Sequence, residues 1–467
     1  MMTFLAPYFA IVVGGLLLAH IVLTRRHTRK PLPPGPRADP IIGHLRKIPS
    51  AHQPEVFHEW AKKYGDVLYL EVLGRKMVIL DSLEAANDLL EKRSSIYSCR
   101  PKLVIFNMMG WDRNLVLLQY GKRFLLHRKL LQNYFGRQES MAFNPISYEE
   151  SIVLVKRLMD NPTDYDKIIE RYMTCIFAKI AYGYTISDDN DPFSVLAYKV
   201  GKMLHNSGPP ASTPVDLFPW LANFPSWFPG TYYAEYARKW RGLTSDFINY
   251  PFDFTTKQLS EGKAQPSFLS KYLSDLESQD IEDSDQEDYM EDIKNAASQI
   301  YGAGAETSWG TLVVFLIAMV LYPEYQAKAQ AEIDAVCGHD RLPTFEDYES
   351  LPYIEYIMRE VMRWHPAVPM GVPHRSLEDD VYKGMFIPAG SISQGGREEP
   401  YLSPFGFGRR NPNRICPGRF FAESTIWITI AMILATCKIG KAKNASGMDI
   451  TPEVEFDNGF CGPLEAV

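Results

Sequence analysis

The sequence predicts a mainly α-helical protein with a small β subdomain, preceded by one N-terminal transmembrane helix. Three observations favour this fold class: a stretch of 21 residues without a formal charge near the start, long apolar stretches free of proline, and one short region rich in strand-forming residues. The composition, with 46% hydrophobic and 22% charged residues, is typical of a globular protein with a large core. It excludes a disordered chain and a small disulfide scaffold.

The charges exclude one further class of protein, and the cysteines indicate the compartment. The chain has 49 basic and 56 acidic residues, a net charge of −7, which argues against a basic nucleic-acid-binding protein. Its six cysteines form no C-x-x-C pair and have no regular spacing, as expected in a reducing compartment.

Residues 1–24 are predicted to form a transmembrane signal-anchor. As a helix, the uncharged stretch Phe4–Thr24 would span roughly 30 Å of hydrocarbon. A basic cluster at 25–30 follows it and nothing basic precedes it, so the positive-inside rule places the rest of the chain in the cytosol. A cleaved signal peptide and a buried helix are the alternatives. Residues 25–37, rich in basic residues and proline, are predicted to form a semi-rigid hinge before the main domain, residues 38–467.

The main domain begins with a predicted hairpin. Val67–Val72 and Met77–Leu80 flank Gly74 and contain the branched residues that favour strands. Ser82 is predicted to cap the helix that follows.

A helix of unusual length is predicted in the second half of the chain. Tyr289–Leu321 contains no proline and is ended by Pro323, which predicts a helix of about 50 Å that crosses the domain. The acidic run Asp275–Asp292 is expected to be a solvated connector before it. Two further helices are predicted at Leu351–Arg363 and Gly418–Cys437, the second apolar on nearly all sides and therefore buried.

One aromatic stretch has two interpretations of about equal weight. Phe218–Phe228 alternates aromatic residues with prolines, which prevent a regular buried helix. Such a segment fits a membrane interface, where Trp is favoured, or a packed loop.

The most informative motif is a cysteine at the start of the apolar helix. Cys416 follows the glycine-rich Phe405–Gly408 and lies between Arg414 and Gly418. A helix N-terminus and nearby arginines stabilise a thiolate, and a thiolate is a strong ligand for a metal or for haem iron. A buried cysteine without this context is usually a small hydrophobic residue.

A second motif lies within the long predicted helix. Gly302 and Gly304 each lower helix stability by about 1 kcal/mol, which points to close approach of a flat ligand or to local unwinding. Glu306 and Thr307 follow, and an acid beside an alcohol can relay protons into an apolar pocket. The alternative is that Thr307 donates to its own i−4 carbonyl beside an exposed Glu306.

Two charged motifs have open interpretations. Glu360 and Arg363 lie on one helix face and form either a surface pair or a buried structural pair. The basic stretch Lys122–Lys129 fits recognition of carboxylates or of an acidic partner, or it is a solvated face.

In this order, the motifs resemble those of the cytochrome P450 family of haem-thiolate monooxygenases. The resemblance runs from residue 33 to about residue 463 and implies the cytochrome P450 fold. It implies that Cys416 is the axial ligand of the haem iron. It also implies that Glu306 and Thr307 are the acid–alcohol pair of the oxygen-binding helix, and that Glu360 and Arg363 form the family's characteristic pair.

The resemblance implies a set of haem contacts as well. Arg128, Arg414, His374 and Arg375 would bind the haem propionates, and Gly304 would let the helix approach the haem. Phe stands at position 124, where the family more often has Trp. The stretch 373–390 is most similar to fungal microsomal members that resemble O-methylsterigmatocystin oxidoreductase.

Two departures from the family pattern stand out. Residues 391–404 form a shortened meander without the arginine that should complete the Glu360–Arg363 network, for which Arg397 is a weak substitute. Residues 410–413 are four extra residues ahead of the cysteine. A buried charge without its partner costs about 3 to 5 kcal/mol. A membrane-tethered, catalytically impaired protein that binds haem poorly or not at all is therefore the alternative to a working enzyme.

For a working enzyme, the resemblance implies haem b as cofactor and insertion of one oxygen atom from O2 into a small apolar molecule, a secondary metabolite or xenobiotic. Electrons would come from an NADPH-cytochrome P450 reductase, with cytochrome b5 as a further partner. The docking face would be basic, at Lys122, Arg123, Lys129 and Arg409. Aromatic and Met residues within Pro101–Gly121 are assigned equally to the pocket wall and to the core.

The expected location is the endoplasmic reticulum membrane, with a single transmembrane pass and a cytosolic catalytic domain. Nucleic acid is not an expected partner. A secreted glycoprotein is the rival, because Asn444-Ala445-Ser446 is an acceptor sequon.

Overall fold

The computed structural model describes residues 30–49, 52–208, 213–277, 283–395, 403–408, 414–444, 446–452 and 454. The described chain is mainly helical with two small sheets, as the sequence predicts. The predicted signal-anchor, residues 396–402 of the shortened meander and the insertion at 410–413 lie outside the described residues.

The helices are numbered in chain order. They are α1 Gln53–Tyr64, α2 Leu83–Ala86, α3 Ser94–Tyr97, α4 Val104–Met108, α5 Lys122–Tyr134, α6 Arg137–Met141, α7 Asn144–Asp160, α8 Tyr165–Tyr182, α9 Pro192–His205, α10 Pro214–Leu217, α11 Tyr232–Ser260, α12 Phe268–Glu277, α13 Asp283–Leu321, α14 Pro323–Cys337, α15 Pro352–Trp364 and α16 Arg419–Thr436. A short π-helix, Asn87–Lys92, follows α2 directly.

The strands form two sheets. They are β1 Val67–Val72, β2 Arg75–Leu80, β3 His374–Arg375, β4 Asp380–Tyr382, β5 Met385–Ile387 and β6 Ile392–Gly395. The larger sheet has the order β1-β2-β6-β3, in which β2 and β6 are parallel and the other pairs are antiparallel. The smaller sheet is the β4–β5 hairpin. Because β6 pairs with β2, residues from opposite ends of the chain meet beside the site described below.

The predicted hairpin is confirmed. Val67 pairs with Leu80 and Val72 with Arg75 across a turn in which Gly74 has a φ of 82°. Ser82 caps α2, since its Oγ accepts from the amide of Ala85 at 3.1 Å.

The predicted hinge is docked on the body. The carbonyl of Pro34 accepts from the amide of Tyr69 at 3.0 Å, and that of Pro31 accepts from Phe386 at 2.7 Å. These contacts join residues 31–34 to β1 and β5. The part of the predicted hinge that the structure describes, residues 30–37, is therefore attached to the body through carbonyls of its prolines, and the hinge at 25–37 stays a prediction.

The long helix is present and begins earlier than predicted. α13 starts at Asp283 rather than at Tyr289, so part of the acidic run is helical. Asp288 and Asp292 bind Arg113 and Arg123, at distances from 2.6 to 3.2 Å. Carboxylates are favoured near a helix N-terminus, and the two arginines neutralise this part of the run. Residues 283–292 are therefore part of the helix and not a connector, whereas the solvation that was predicted is found at Asp285, Glu287 and Asp288, which are exposed.

α8 packs closely against α13. The hydroxyls of Thr174 and Tyr301 lie 3.0 Å apart, and the indole of Trp309 donates to Asp166 at 2.9 Å. α13 and α16 are apolar enough to span a membrane by length and composition, but over half of each apolar window is buried. Both belong to the core of the described protein, which confirms the burial predicted for α16.

The aromatic stretch combines both of its interpretations. Leu221 is buried, and the rings of Phe224 and Phe228 lie 4.5 Å apart, as in a packed loop. Trp220 and Trp227 are nevertheless 50% and 79% exposed. The segment is therefore a packed loop with two exposed tryptophans, and its contact with a membrane stays a prediction.

Candidate functional site

A cavity of about 700 Å³ lies between α13, the start of α16 and the larger sheet. Cys416 and Thr307 line it, together with mainly apolar side chains that include Leu90, Leu115, Val116, Phe124, Ile300 and Phe421. The cavity therefore brings together the cysteine motif and the long-helix motif.

Cys416 is held at the cavity by its own loop. Its amide donates to the carbonyl of Phe405 at 2.8 Å, and the amide of Gly418 is hydrogen-bonded to its sulfur. Burial raises the pKa of the Cys416 thiol, and the Gly418 amide, Arg128 and Arg419 only partly offset this. The helix N-terminus and the arginines therefore act in the predicted direction, but burial outweighs them and they do not make a thiolate by themselves. Coordination to a metal ion deprotonates a thiol directly.

Arg100, Arg128 and Arg414 line the cavity as a buried cationic cluster, each no more than 8% exposed. Burial lowers the pKa of Arg128 and Arg414 to about 10, and that of Arg100 further. Nearby cations add to this: Arg128 lowers the pKa of Arg414, Arg419 lowers that of Arg128, and Arg414 lowers that of Arg100. Buried cations held together in this way favour an anionic ligand.

The described hydrogen bonds of this cluster leave room for such a ligand. Arg100 donates to the carbonyls of Val372 and Pro373 at 2.6 and 2.8 Å. Arg414 donates to the carbonyls of Ser98 and Leu118 at 2.8 and 2.9 Å. These carbonyls accept from some of the N–H groups but do not neutralise the charges, and the buried Nε of Arg100 has no hydrogen-bond partner among the described residues.

Two carboxylates carried by one apolar, planar group would neutralise two of the three charges of this cluster, and haem with its two propionates has that chemistry. A cysteine sulfur in the same cavity supplies the axial donor. The residues present therefore fit haem.

Sequence reasoning predicted Arg128 and Arg414 at this place but missed Arg100. The only sequence signal for Arg100 is its place in a largely uncharged stretch, directly before Pro101. The cation–π contact of Arg414 with Phe124, at 3.7 Å from the ring centroid, shows that Phe at position 124 supports the cluster.

His374 and Arg375 do not share a role. His374 lines the cavity, and its Nδ1 donates to the carbonyl of Tyr97 at 2.8 Å. Burial lowers the pKa of His374 well below its ordinary value, and Arg100 and Arg414 lower it further. Arg375 instead donates to Gln119 at 3.3 Å and is not among the residues that line the cavity. Arg375 therefore lies outside the cavity lining, and the propionate contact predicted for it stays a prediction.

The long-helix motif is only partly at the cavity. Thr307 lines it and donates to the carbonyl of Ala303 at 2.7 Å, as in the alternative interpretation of this motif. Glu306 is not among the lining residues, and its carboxyl is buried on the side of Glu170. Burial and Glu170 raise the pKa of Glu306 to about 7. The proton relay from Glu306 through Thr307 stays a prediction.

Gly304 lines the cavity, and the structure gives a second reason for a glycine at this position. A Cβ at this position would lie 2.1 Å from the ring of Phe177 on α8. The helix continues without a break from Asp283 to Leu321, so local unwinding is not observed. Close helix packing therefore requires a glycine here, alongside the expected approach to the haem.

The Glu360–Arg363 pair is formed, with two contacts of 2.6 and 2.7 Å. The side chains are 62% and 50% exposed, respectively, so this is the surface pair of the two interpretations. The expectation of a buried network at this position is wrong for the described residues.

The basic stretch on α5 has a mixed role. Lys122 and Lys129 are exposed, but Arg123 binds Asp288 and Asp292. His127 also contacts Asp292, at 3.2 Å. Arg123 is therefore engaged within the protein, and Arg409 lies outside the described residues.

The residues between 101 and 121 that were expected to form the pocket wall divide between the cavity and the core. Leu115 and Val116 line the cavity, whereas Phe106, Met109 and Trp111 are buried in the core. For those three residues, the core interpretation is correct.

The mainly helical fold with a cysteine at a cationic cavity defines a haem-thiolate type of protein, and comparison with known proteins agrees. The cytochrome P450 family model matches residues 33–394, more than three quarters of the chain. Cytochrome P450 monooxygenase 208 of Postia placenta is 35% identical over 95% of this chain and 90% of its own length. A cytochrome P450 monooxygenase of Armillaria gallica is 37% identical over 96% and 94%, and claR of Ampulloclitocybe clavipes is 35% identical over 95% and 87%. The chain belongs to the cytochrome P450 family and is a monooxygenase of the oxidoreductase class.

Proposed function

We propose that this protein is a haem-thiolate monooxygenase that inserts one atom of O2 into a small apolar organic substrate. The single observation that carries the proposal is the cavity in which Cys416 and the buried cluster of Arg100, Arg128 and Arg414 lie together. A thiolate donor and two or more cations around one apolar space suit haem b and little else of comparable size. Bound haem supplies the redox chemistry that divides O2 between the substrate and water.

The residues of the chain then have distinct tasks. Cys416 binds the iron, and the three arginines hold the propionates and so fix the orientation of the haem. Thr307 is the hydroxyl assigned to proton delivery, and it holds its proton on Oγ1 toward the Ala303 carbonyl. Glu306, whose pKa is about 7, carries a proton near neutral pH that Thr307 could receive after a rotation of either side chain.

The apolar lining supports an apolar substrate. Besides the residues around Cys416, the lining includes Leu45, Ile48 and Leu217. Burial of apolar surface drives the binding of such a molecule, and polar groups fix its orientation. A secondary metabolite or xenobiotic has this chemistry. The likeness of residues 373–390 to O-methylsterigmatocystin oxidoreductases is part of this proposal.

The proposed electron donor is an NADPH-cytochrome P450 reductase, with cytochrome b5 as a second partner. The exposed Lys122 and Lys129 form the basic docking surface, because Arg123 is already paired with aspartates. The proposed location is the endoplasmic reticulum membrane, with an N-terminal anchor and Trp220 and Trp227 in contact with the membrane interface.

The test is the carbon-monoxide difference spectrum of the dithionite-reduced, full-length protein. A thiolate-type Soret band is expected from the wild type and from Cys437→Ala. Cys416→Ser should lose this band. Cys437 is the matched control, because it follows the C-terminus of α16 as Cys416 precedes its N-terminus. A wild-type band of the non-thiolate type, or a band that survives in Cys416→Ser, would overturn the assignment of the ligand.

The impaired protein is the second candidate, and one observation favours it. The family match ends at residue 394, ahead of the cysteine loop. Haem content decides between the two: about one haem per chain supports the enzyme, and little or none supports the impaired protein.

A further inference from the structure

The cysteine loop is tied to the rest of the protein at Gly408. This glycine is buried and has a φ of 92°, a conformation that side chains rarely adopt. Its carbonyl accepts from the amide of Arg414 at 2.7 Å, which closes the loop two residues before Cys416. Its own amide donates outside the loop, to the carboxylate of Glu91 at 2.7 Å. Both peptide groups of Gly408 are therefore used to position the loop.

Glu91 extends from a rigid segment. It belongs to the π-helix Asn87–Lys92, a rare conformation that is often found at functional sites. Leu89 and Leu90 beside it are buried, and Leu90 also lines the cavity. A carboxylate on this segment has little freedom to follow a moving loop.

The same segment is fixed on its other side by the β4–β5 hairpin. Asp88 accepts from the hydroxyl of Tyr382 at 3.0 Å, and Arg93 pairs with Asp380 at 2.7 Å. The loop also packs onto this platform, because Phe407 contacts the core cluster that contains Leu89 and Leu90. A ring contact and a charged hydrogen bond on neighbouring residues together define where the loop sits.

Glu360 and Arg363 do not provide this anchor in the described residues. Their two hydrogen bonds join them to each other, and both are at least half exposed. The loop that carries the cysteine is instead held by Glu91, by the carbonyl contacts of Arg414 and by the Phe405–Cys416 hydrogen bond.

We propose that Glu91 is a positioning residue for the thiolate ligand: its carboxylate fixes Gly408 and thereby the distance between Cys416 and the cationic cluster. The proposal rests on the proposed function. A charged acceptor forms a stronger hydrogen bond with an amide than a neutral one does. A buried amide that loses its acceptor is destabilised, so the loop would move to find another partner.

The experiment compares three variants of the full-length protein. Glu91→Ala removes the acceptor, Glu91→Gln keeps an oxygen acceptor without the charge, and Glu332→Ala is the matched control. Glu332 also accepts from a backbone amide, that of Tyr353 at 3.0 Å, but it joins α14 to α15 and does not line the cavity. The readouts are the carbon-monoxide difference spectrum and amide hydrogen exchange at Gly408.

Glu91→Ala should move most of the absorbance from the thiolate-type to the non-thiolate-type band. It should also speed exchange at Gly408 roughly tenfold or more, the effect of losing one hydrogen bond. Glu91→Gln should recover most of the thiolate-type band. Glu332→Ala should lower stability and leave the spectrum unchanged. If Glu91 had only a structural role, Glu91→Ala would give that same result.

The outcomes separate the two proposals. If the wild type lacks the thiolate-type band, the proposed function fails. If the wild type shows it and Glu91→Ala keeps both the band and slow exchange at Gly408, the role of Glu91 fails alone. If Glu91→Ala does not fold, Glu91→Met is read in its place, because it fills similar space without an oxygen acceptor. Full retention of the band in that variant also overturns the proposal.

Discussion

Replacing Gly304 by alanine should destabilise the protein, although alanine is the better helix former. The added Cβ would lie 2.1 Å from Cε1 and 2.5 Å from Cζ of Phe177, well inside contact distance. Phe177 is 4% exposed and packs edge-on against Phe421, with ring centroids 5.5 Å apart. Phe177 also lines the cavity, so the added Cβ pushes the ring either against Phe421 or into the space that a bound ligand would fill.

Two effects of opposite sign decide the magnitude. Overpacking of a core costs about 1 to 3 kcal/mol, whereas Gly→Ala within a helix gains about 0.5 to 1 kcal/mol. The net expectation for Gly304→Ala is a loss of about 1 to 2 kcal/mol in the free energy of unfolding. Gly302→Ala and Gly310→Ala are matched controls on the same helix, since a Cβ at either position meets nothing within 4 Å. Both should be neutral or stabilising.

Urea unfolding of the full-length protein in detergent measures these differences, and a double-mutant cycle with Phe177→Ala tests their cause. Removing the ring should make Gly304→Ala nearly neutral in that background. Equal stability of Gly304→Ala and Gly302→Ala would refute the clash. In that case the glycine would be needed only for the approach of a ligand, and the loss would appear in haem content instead.

Two further predictions concern charged groups. Burial and Glu170 raise the pKa of Glu306 from 4.5 to about 7, so the folded protein keeps a proton that the unfolded chain loses. Stability should therefore fall as pH rises from about 4.5 to 7, by up to about 3 kcal/mol, and remain lower above pH 7. Glu306→Gln should flatten this part of the pH–stability curve, and an unchanged slope would contradict the assignment of this pH dependence to Glu306. Glu360→Ala should change the free energy of unfolding by less than about 1 kcal/mol, because the Glu360–Arg363 pair is exposed. A loss of about 3 kcal/mol or more in thermal or urea unfolding would show that the pair is buried in the complete protein.

The elements that the sequence predicts well are those with local signals. The β1–β2 hairpin follows from branched residues around a turn glycine, and α13 follows from a long stretch without proline. Cys416 is recognisable because its glycines, arginines and helix start are adjacent in the chain. Each of these signals lies within a few residues of the feature that it predicts.

The features that the sequence did not predict depend on contacts between distant segments. Arg100 reaches the cavity only because the segment before α4 crosses residues 372 and 373. Arg375 is instead held by a contact with Gln119, which is 256 residues away in the chain. The position of Glu306 relative to Glu170 depends on how α8 crosses α13, and no pattern within one helix contains that information.

The geometry of the Glu360–Arg363 pair also bears on whether the chain is an impaired enzyme. The penalty of about 3 to 5 kcal/mol expected for the shortened meander assumed that these charges are buried without a partner. In the described residues they are solvated and satisfy each other, and each shifts the other's pKa toward the charged form, lowering that of Glu360 and raising that of Arg363. The charges of Glu360 and Arg363 therefore compensate each other without the third arginine. Glu91 precedes the shortened meander in the sequence, and in its proposed role it anchors the cysteine loop. A short meander and a working thiolate ligand are therefore physically compatible.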